Sequence, residues 1–269
     1  MSYNREIIFK DILNFPNKYS IDSYVSKEKF IAYGNLNSDD KQIFKDFVRQ
    51  IQWCYRFRDD EIGIKPYFDD KRRYGEVEVI NIILKDENLS RSSNEDKFFK
   101  QDSKIDRLIN IVFRLIMFPQ LVIVQYKSNI RLYASHVSVN MVDSSKRTID
   151  EILSTKWIDT KDIKDIEYTL FNNIQLDNLS HENMYEFYNG FVGEIIKYNG
   201  SLTSGGEVDL STDRIKEIND EMDVLNKEIK KFKSKLKGEP QKRLERKYNK
   251  EIQIRRKKLK DLENELKGI

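Results

Sequence analysis

Along the chain the spacing of apolar residues changes several times, and each change predicts a new element. Behind Ser38, the acids Asp39 and Asp40 lead into Ile43, Phe44, Phe47 and Val48, which share one helical face. Residues 39–50 therefore predict a helix with favourable negative charge in its first turn. Ile51, Trp53, Tyr55 and Phe57 next alternate with Gln52, Cys54, Arg56 and Arg58, so a half-buried strand follows, with Cys54 on its polar side. Segments 76–84 and 121–126 become continuously apolar, as central strands covered on both faces do. Between them Ile105, Leu108, Ile109, Val112, Leu115 and Ile116 recur at helical spacing until Pro119. Strand, helix and strand at this length predict a crossover between parallel strands. Lys127-Ser128-Asn129 reads as a tight turn into an antiparallel strand at 130–139. Residues 86–102 read as a polar loop, and 148–171 and 181–198 as helices, the second burying Met184, Phe187, Tyr188, Phe191, Ile195 and Ile196.

Beyond this point the pattern becomes regular. Ile215, Ile218, Met222, Leu225, Ile229, Phe232 and Leu236 follow one another at steps of three and four, the seam of a helix that packs on another helix. Gly238-Glu239-Pro240 interrupts it, and Leu244, Tyr248, Ile252, Leu259, Leu262 and Leu266 resume it with Arg255 in the seam. Two helices folded into an antiparallel hairpin are expected, the alternative being one long kinked helix that dimerises. Residues 199–211, with Gly200, Gly205 and Gly206, read as a flexible connector. The expected organisation is an α/β (α+β) domain at 1–198, a mixed β-sheet packed with helices, then the connector, then a C-terminal helical hairpin or coiled coil at 212–269.

Composition sharpens this division. The 269 residues are 35% charged, and Lys and Arg exceed Asp and Glu by only three. Segment 212–269, however, holds 19 basic and 12 acidic residues, net +7, which leaves −4 for residues 1–211. Lys242 to Lys260 alone contains ten basic residues against Glu245 and Glu251. No apolar run approaches the roughly 18 residues of a membrane span, the N-terminus lacks a leader pattern, and the single cysteine forbids an internal disulfide. A soluble cytoplasmic chain is expected. His136 and His181 are the only histidines, so neither a zinc site nor a cofactor is expected, and Gly205-Gly206 lacks the Lys-Ser/Thr of a phosphate loop.

Four residues have a spacing that suggests catalysis. Gln125-Tyr126-Lys127 places a Gln two residues before a Lys on a strand, as restriction-type nuclease cores do, where carboxylates bind Mg²⁺ and the Lys orients water. Glu76 and Glu78 are the acids a neighbouring strand could bring, although alternation more simply leaves both on a solvated face. His136 reads first as a satisfied, partly buried imidazole and second as a base, and Cys54 as an incidental thiol. Lys71, Arg72 and Arg73 form a charged turn or contact phosphate. For partner binding the candidates are the seam residues Ile215, Ile218, Met222, Leu225, Ile229, Phe232, Leu236, Leu259, Leu262 and Leu266. For nucleic acid they are Lys242, Arg243, Arg246, Lys247, Lys250, Arg255, Arg256, Lys257 and Lys258, unless these only solubilise the hairpin and pair with acids between Asp213 and Asp223.

The order KQIFKDFVRQIQWCYRF, EVEVINIIL, KIDRLINIVFR closed by FPQ, LVIVQYKSNIRLYAS, Trp157 and a Lys/Glu-rich terminal helix pair resembles a bacterial family known as domain of unknown function 4391. The resemblance covers most of the chain and brings no catalytic signature. Such genes tend to lie beside helicases and DNA methyltransferases in restriction-like or antiphage clusters. The resemblance thus implies an accessory subunit of a DNA-processing defence system, docking on a helicase- or methyltransferase-type protein or on a second copy. A Mg²⁺-dependent nuclease subunit and a nucleic-acid sensor gripping phosphates with the last helix are the alternatives.

Overall fold

The computed structural model describes residues 11–85, 102–140, 147–237 and 239–269. The elements run β1 (Ser20–Val25), α1 (Lys27–Tyr33), α2 (Ser38–Phe47), β2 (Val48–Arg58), α3 (Asp59–Ile62), β3 (Tyr67–Phe68), β4 (Arg73–Tyr74) and β5 (Glu76–Leu84). Then come α4 (Asp102–Leu115), β6 (Gln120–Tyr126), β7 (Asn129–Ala134), β8 (Val137–Val139), β9 (Arg147–Ile149), β10 (Leu153–Ser154) and β11 (Ile158–Asp159). The chain closes with α5 (Asp165–Asn173), α6 (Met184–Ser204), α7 (Thr212–Lys237) and α8 (Lys242–Leu266). It divides into two compact units, residues 1–195 and 196–269.

The first unit is built on a mixed sheet ordered β1-β2-β5-β6-β7-β10, with β11 also paired to β7. Among the described residues only β5 and β6 run parallel, and α4 makes the crossover that the sequence predicts. Asn37 starts α2 by accepting the Asp40 N–H at 2.9 Å, and the helix ends at Phe47 rather than at residue 50. The chain turns into β2 directly because Val48 is needed opposite Leu84.

A bulge in β2 decides which face each side chain takes. Trp53 lies opposite Ile80 but Tyr55 lies opposite Val79, so Cys54 is an extra residue in the ladder. Before it, Ile51 and Trp53 share the face of Ile80 and Ile82, which packs with Phe44, Phe47, Ile105, Leu108 and Val112. After it, Tyr55 and Phe57 turn to the opposite face, where Phe15 meets both rings edge-on at 5.5 Å and Phe187 meets Phe57 at 5.9 Å. Cys54 itself is fully buried, contrary to the polar-side placement that strict alternation predicts.

Three other expectations are corrected. Strand β7 stops at Ala134, and Val137–Val139 pairs with Arg147–Ile149 in a separate two-stranded ribbon. Residues 148–171 are not one helix: β9, β10 and β11 occupy the first part, and only Asp165–Asn173 is helical. Edge pairing of Leu153 with Ala134 and of Ile158 with Ile130 overrides the helical spacing of their apolar residues. The connector expected at 199–211 is helical as far as Ser204. Apart from Asp102, the first residue of α4, the loop expected at 86–102 lies outside the described residues, as does Gly238.

In the second unit α7 and α8 form the antiparallel hairpin. Arg214 is paired with Glu265, Glu221 with Lys258 and Glu228 with Arg255, so early positions of one helix meet late positions of the other. A single kinked helix is excluded by that register. Gly200 of α6 lets Ile215 approach: a Cβ on Gly200 would stand 2.6 Å from Ile215 Cγ2. The turn out of α6 needs Gly205 in the left-handed region, at φ 78°. Among the described residues no helix is long and apolar enough to cross a membrane.

Candidate functional site

The four residues with nuclease-like spacing do not converge. Arg56, Glu78 and Gln120 sit side by side on adjacent strands. Gln125 is five residues farther along β6 than Gln120, so strand alternation sends it to the opposite face. There it accepts the Asn81 side-chain N–H at 3.3 Å and donates to the Lys127 carbonyl at 3.4 Å. Lys127 occupies the turn between β6 and β7 with φ 54°, and its ammonium lies 5.1 Å from the Tyr126 ring centroid. Glu76 opens β5 opposite Arg58.

Glu78 is buried in the sheet and accepts the Trp53 indole N–H. Burial pushes its carboxyl up to about 7, against the Trp53 hydrogen bond and the Arg56 charge, with Glu76 adding repulsion. Beside it Arg56 Nε and both polar atoms of the Gln120 amide are buried with no hydrogen-bond partner, as are Gln52 Oε1 and Asn81 Oδ1 on the opposite face. A sealed acid flanked by a guanidinium can hold a proton, but it offers no open ligand sphere. Among the described residues no group of three or more His, Cys, Asp or Glu is placed to hold a metal ion.

His136 is a satisfied imidazole. Its Nδ1 lies 3.0 Å from the Tyr74 hydroxyl, its Nε2 lies 3.2 Å from Asn189 Oδ1, and its ring stacks on Tyr185 at 5.0 Å. A neutral ring with the proton on Nε2 meets both partners. Arg72, read as part of a charged turn or as a phosphate contact, is paired with Asp150 at 3.0 Å and stacked over Tyr185. Asp69 accepts the backbone N–H groups of Lys71 and Arg72 at 2.7 and 2.5 Å, which builds the turn between β3 and β4. His181 donates to the Leu176 carbonyl at 3.1 Å.

One concave feature of the α/β unit was missed in the sequence. A cleft of about 390 Å³ is lined by Asp106 and Asn110 of α4, Arg131 and Tyr133 of β7, Asp150 and Ser154. Arg131 donates to the Thr155 carbonyl at 2.9 Å and to Ser154 Oγ at 2.7 Å, and pairs with Asp102 at 3.4 Å and Asp106 at 3.7 Å. The Tyr133 hydroxyl donates to Asp106 at 3.2 Å and the Trp157 indole to Asp102 at 3.2 Å. Burial raises the Asp106 carboxyl, opposed by the Arg131 charge and the Tyr133 bond. The signal was present: Asp102, Asp106 and Asn110 are spaced by four on one helix face, and Arg131 and Tyr133 share one strand face. Acids outnumber the one guanidinium, so the cleft repels phosphate and mainly ties α4 to β7.

In the hairpin, Ile215, Ile218, Met222, Leu225, Ile229, Leu262 and Leu266 are buried, and Phe232, Leu236 and Leu259 are half-buried. The seam therefore closes on itself, each fully buried aliphatic side chain contributing about 1.5–3 kcal/mol. What the hairpin leaves exposed is its outer faces. Arg255 is held by Glu228 at 2.5 Å and Glu251 at 2.6 Å and lies 4.6 Å over the Phe232 ring, and Lys258 is paired with Glu221. These two leave the set of free cations. Lys242, Arg243, Arg246, Lys247, Lys250, Arg256 and Lys257 remain exposed.

A family model described as a domain of unknown function, DUF4391, matches residues 13–264. No curated protein and no solved structure matches the chain.

Proposed function

We propose that this chain, which belongs to the DUF4391 family, is a non-catalytic interaction subunit of a DNA-processing assembly, with the α/β unit as its folded body and the helical hairpin as its docking arm. The observation that carries the reading is on the outside of the hairpin. Its seam is closed internally, yet Val224 and Ile254 are 54% and 52% exposed. Val224 lies three residues after Glu221 and Ile254 four before Lys258, so the antiparallel Glu221–Lys258 pair puts the two apolar side chains at nearly one height along the arm. An apolar spot ringed by charge is the common anatomy of a modest protein interface, where the apolar contact supplies affinity and the charges set orientation. The use of Gln125 and Lys127 in the sheet and its turn supports the non-catalytic part of the reading.

The partner is taken to be a helicase- or methyltransferase-type subunit of an antiphage or restriction-like system, as the family resemblance implies. Co-expression of the full chain with such a subunit, followed by size exclusion with light scattering, tests the reading. A stable complex is expected, weakened at least about tenfold by Val224→Asp with Ile254→Asp at unchanged helical content. Equal assembly of that variant, or assembly only with itself, contradicts it.

A further inference from the structure

Charge is divided unequally along the hairpin. From Lys227 to Lys250, spanning the end of α7, the turn and the start of α8, eleven Lys and Arg face only Glu228, Glu239 and Glu245, net +8. The rest of 212–269 holds the remaining eight basic residues against nine acids. The interhelical ion pairs follow the same division. Arg214–Glu265, Lys258–Glu221 and Arg255–Glu228 all take their cation from the balanced part, and Glu228, the acid of the distal part that is paired, holds Arg255. Among the described residues none of the eleven distal cations forms an ion pair, and only Lys235 is engaged, 5.9 Å from the rings of Phe232 and Tyr248.

Such crowding has a cost to the protein's own helices. Like charges three or four residues apart, such as Lys227, Lys230 and Lys231 or Arg243, Arg246, Lys247 and Lys250, disfavour a helix by a few tenths of a kcal/mol each. A polyanion relieves that repulsion and gains entropy from released counterions. We propose that the distal end of the hairpin, formed by both helices, binds the phosphate backbone of nucleic acid.

The placement of the apolar residues favours nucleic acid over an anionic membrane. Membrane-surface helices bury an apolar face beside their cations. Here the distal apolar residues Phe232, Leu236, Leu244 and Tyr248 face the seam, with the rings of Phe232 and Tyr248 6.0 Å apart. Two packed helices are also about 20 Å across, wider than the roughly 12 Å major groove. The tip therefore lies across phosphates instead of reading base edges, and sequence preference is absent. Residues 1–211, at net −4, keep the binding confined to the arm. Lys227 and Lys250 border Val224 and Ile254 by one turn, while the other cations lie beyond them toward the turn, so the docking reading and this one can fail independently.

The test uses fluorescence anisotropy of the full chain with two unrelated labelled 30-base-pair duplexes and a single-stranded RNA, between about 50 and 300 mM KCl. Expected are equal affinities for the two duplexes and a steep fall with salt. Arg246→Glu with Lys250→Glu, and independently Lys230→Glu with Lys233→Glu, should weaken binding at least about tenfold and make the salt slope shallower by about two, near 0.9 for each phosphate no longer neutralised. Lys29→Glu with Lys41→Glu, the same charge change on exposed residues of the α/β unit, should stay within about twofold. Tighter binding to duplex or to RNA identifies the natural polymer and supports the inference either way. Lack of wild-type binding at 50 mM KCl, an equal weakening in the Lys29/Lys41 variant, or capture by phosphatidylserine vesicles without nucleic-acid binding overturns it.

Discussion

Trp53 donates its indole N–H to Glu78 on the neighbouring strand, a residue only 2% exposed. A carboxyl so placed, with burial raising it to about 7 from 4.5, binds its proton in the folded state well above the pH at which the unfolded chain releases it. The stability linked to this proton is therefore complete below about 4.5 and is lost as pH rises through about 7. Glu78→Gln keeps an acceptor for Trp53 and removes the ionised form. It should be more stable than the wild type at pH 8, by on the order of 2–3 kcal/mol, with the difference shrinking toward pH 5. Urea unfolding of both proteins across that range checks it, and an offset independent of pH would sink the idea.

Lys127 takes φ 54° to turn β6 into β7, a conformation that costs a side-chain-bearing residue about 1 kcal/mol. Lys127→Gly should stabilise the protein by about 0.5–1 kcal/mol, and Lys127→Val should destabilise it by at least as much. Denaturant midpoints of the two variants should therefore move in opposite directions, which a lysine kept for its ammonium would not produce.

The Tyr188 hydroxyl is buried against three backbone groups. It lies 2.8 Å from the Gln120 carbonyl and 2.9 Å from that of Ser135, and accepts the Ser135 N–H at 3.0 Å. Tyr188→Phe leaves those groups unsatisfied and should cost about 1–3 kcal/mol, with faster exchange of the Ser135 amide. Unchanged stability and unchanged exchange would show that other groups satisfy them.

Gly200 and Gly206 separate packing from backbone effects. Alanine at Gly200 meets the buried Ile215 side chain at 2.6 Å, whereas nothing stands within 4 Å of a Cβ at Gly206. Gly200→Ala should lose about 1–3 kcal/mol despite the better helix propensity of alanine, and Gly206→Ala should change stability by less than about 1 kcal/mol. Pairing Gly200→Ala with Ile215→Val, which keeps the Cγ2 methyl in the way, should recover little of the loss in the same thermal melts.

Much of the architecture was legible in local pattern. The three- and four-residue steps from Ile215 to Leu236 describe one face of a helix, and the apolar runs around Ile82 and Val124 describe covered strands, because both patterns follow from the geometry of a single element. One helix ends at Lys237 and the next begins at Lys242, two helices as the Gly-x-Pro pattern predicts. Candidate sites were less legible. The spacing of Gln125 and Lys127 imitates a catalytic motif, while the Arg131 cluster has no motif at all: Asp102, Asp106 and Arg131 are distant in sequence and meet only because β7 lies beside β6, under α4.

By itself the sequence determined the period of each element, the parallel crossover through α4, the folding of the C-terminal seam on a second helix, and the unequal distribution of charge. Only the tertiary structure decided that Cys54 is a bulge, that residues 153–154 and 158–159 extend an edge instead of coiling, that Glu78 and Gln125 face opposite ways, and that the seam is closed. The physical reason is register. Periodicity belongs to a residue and its near neighbours, whereas face, burial and partner depend on which residue of another element lies opposite, and one extra residue in a ladder reverses them all.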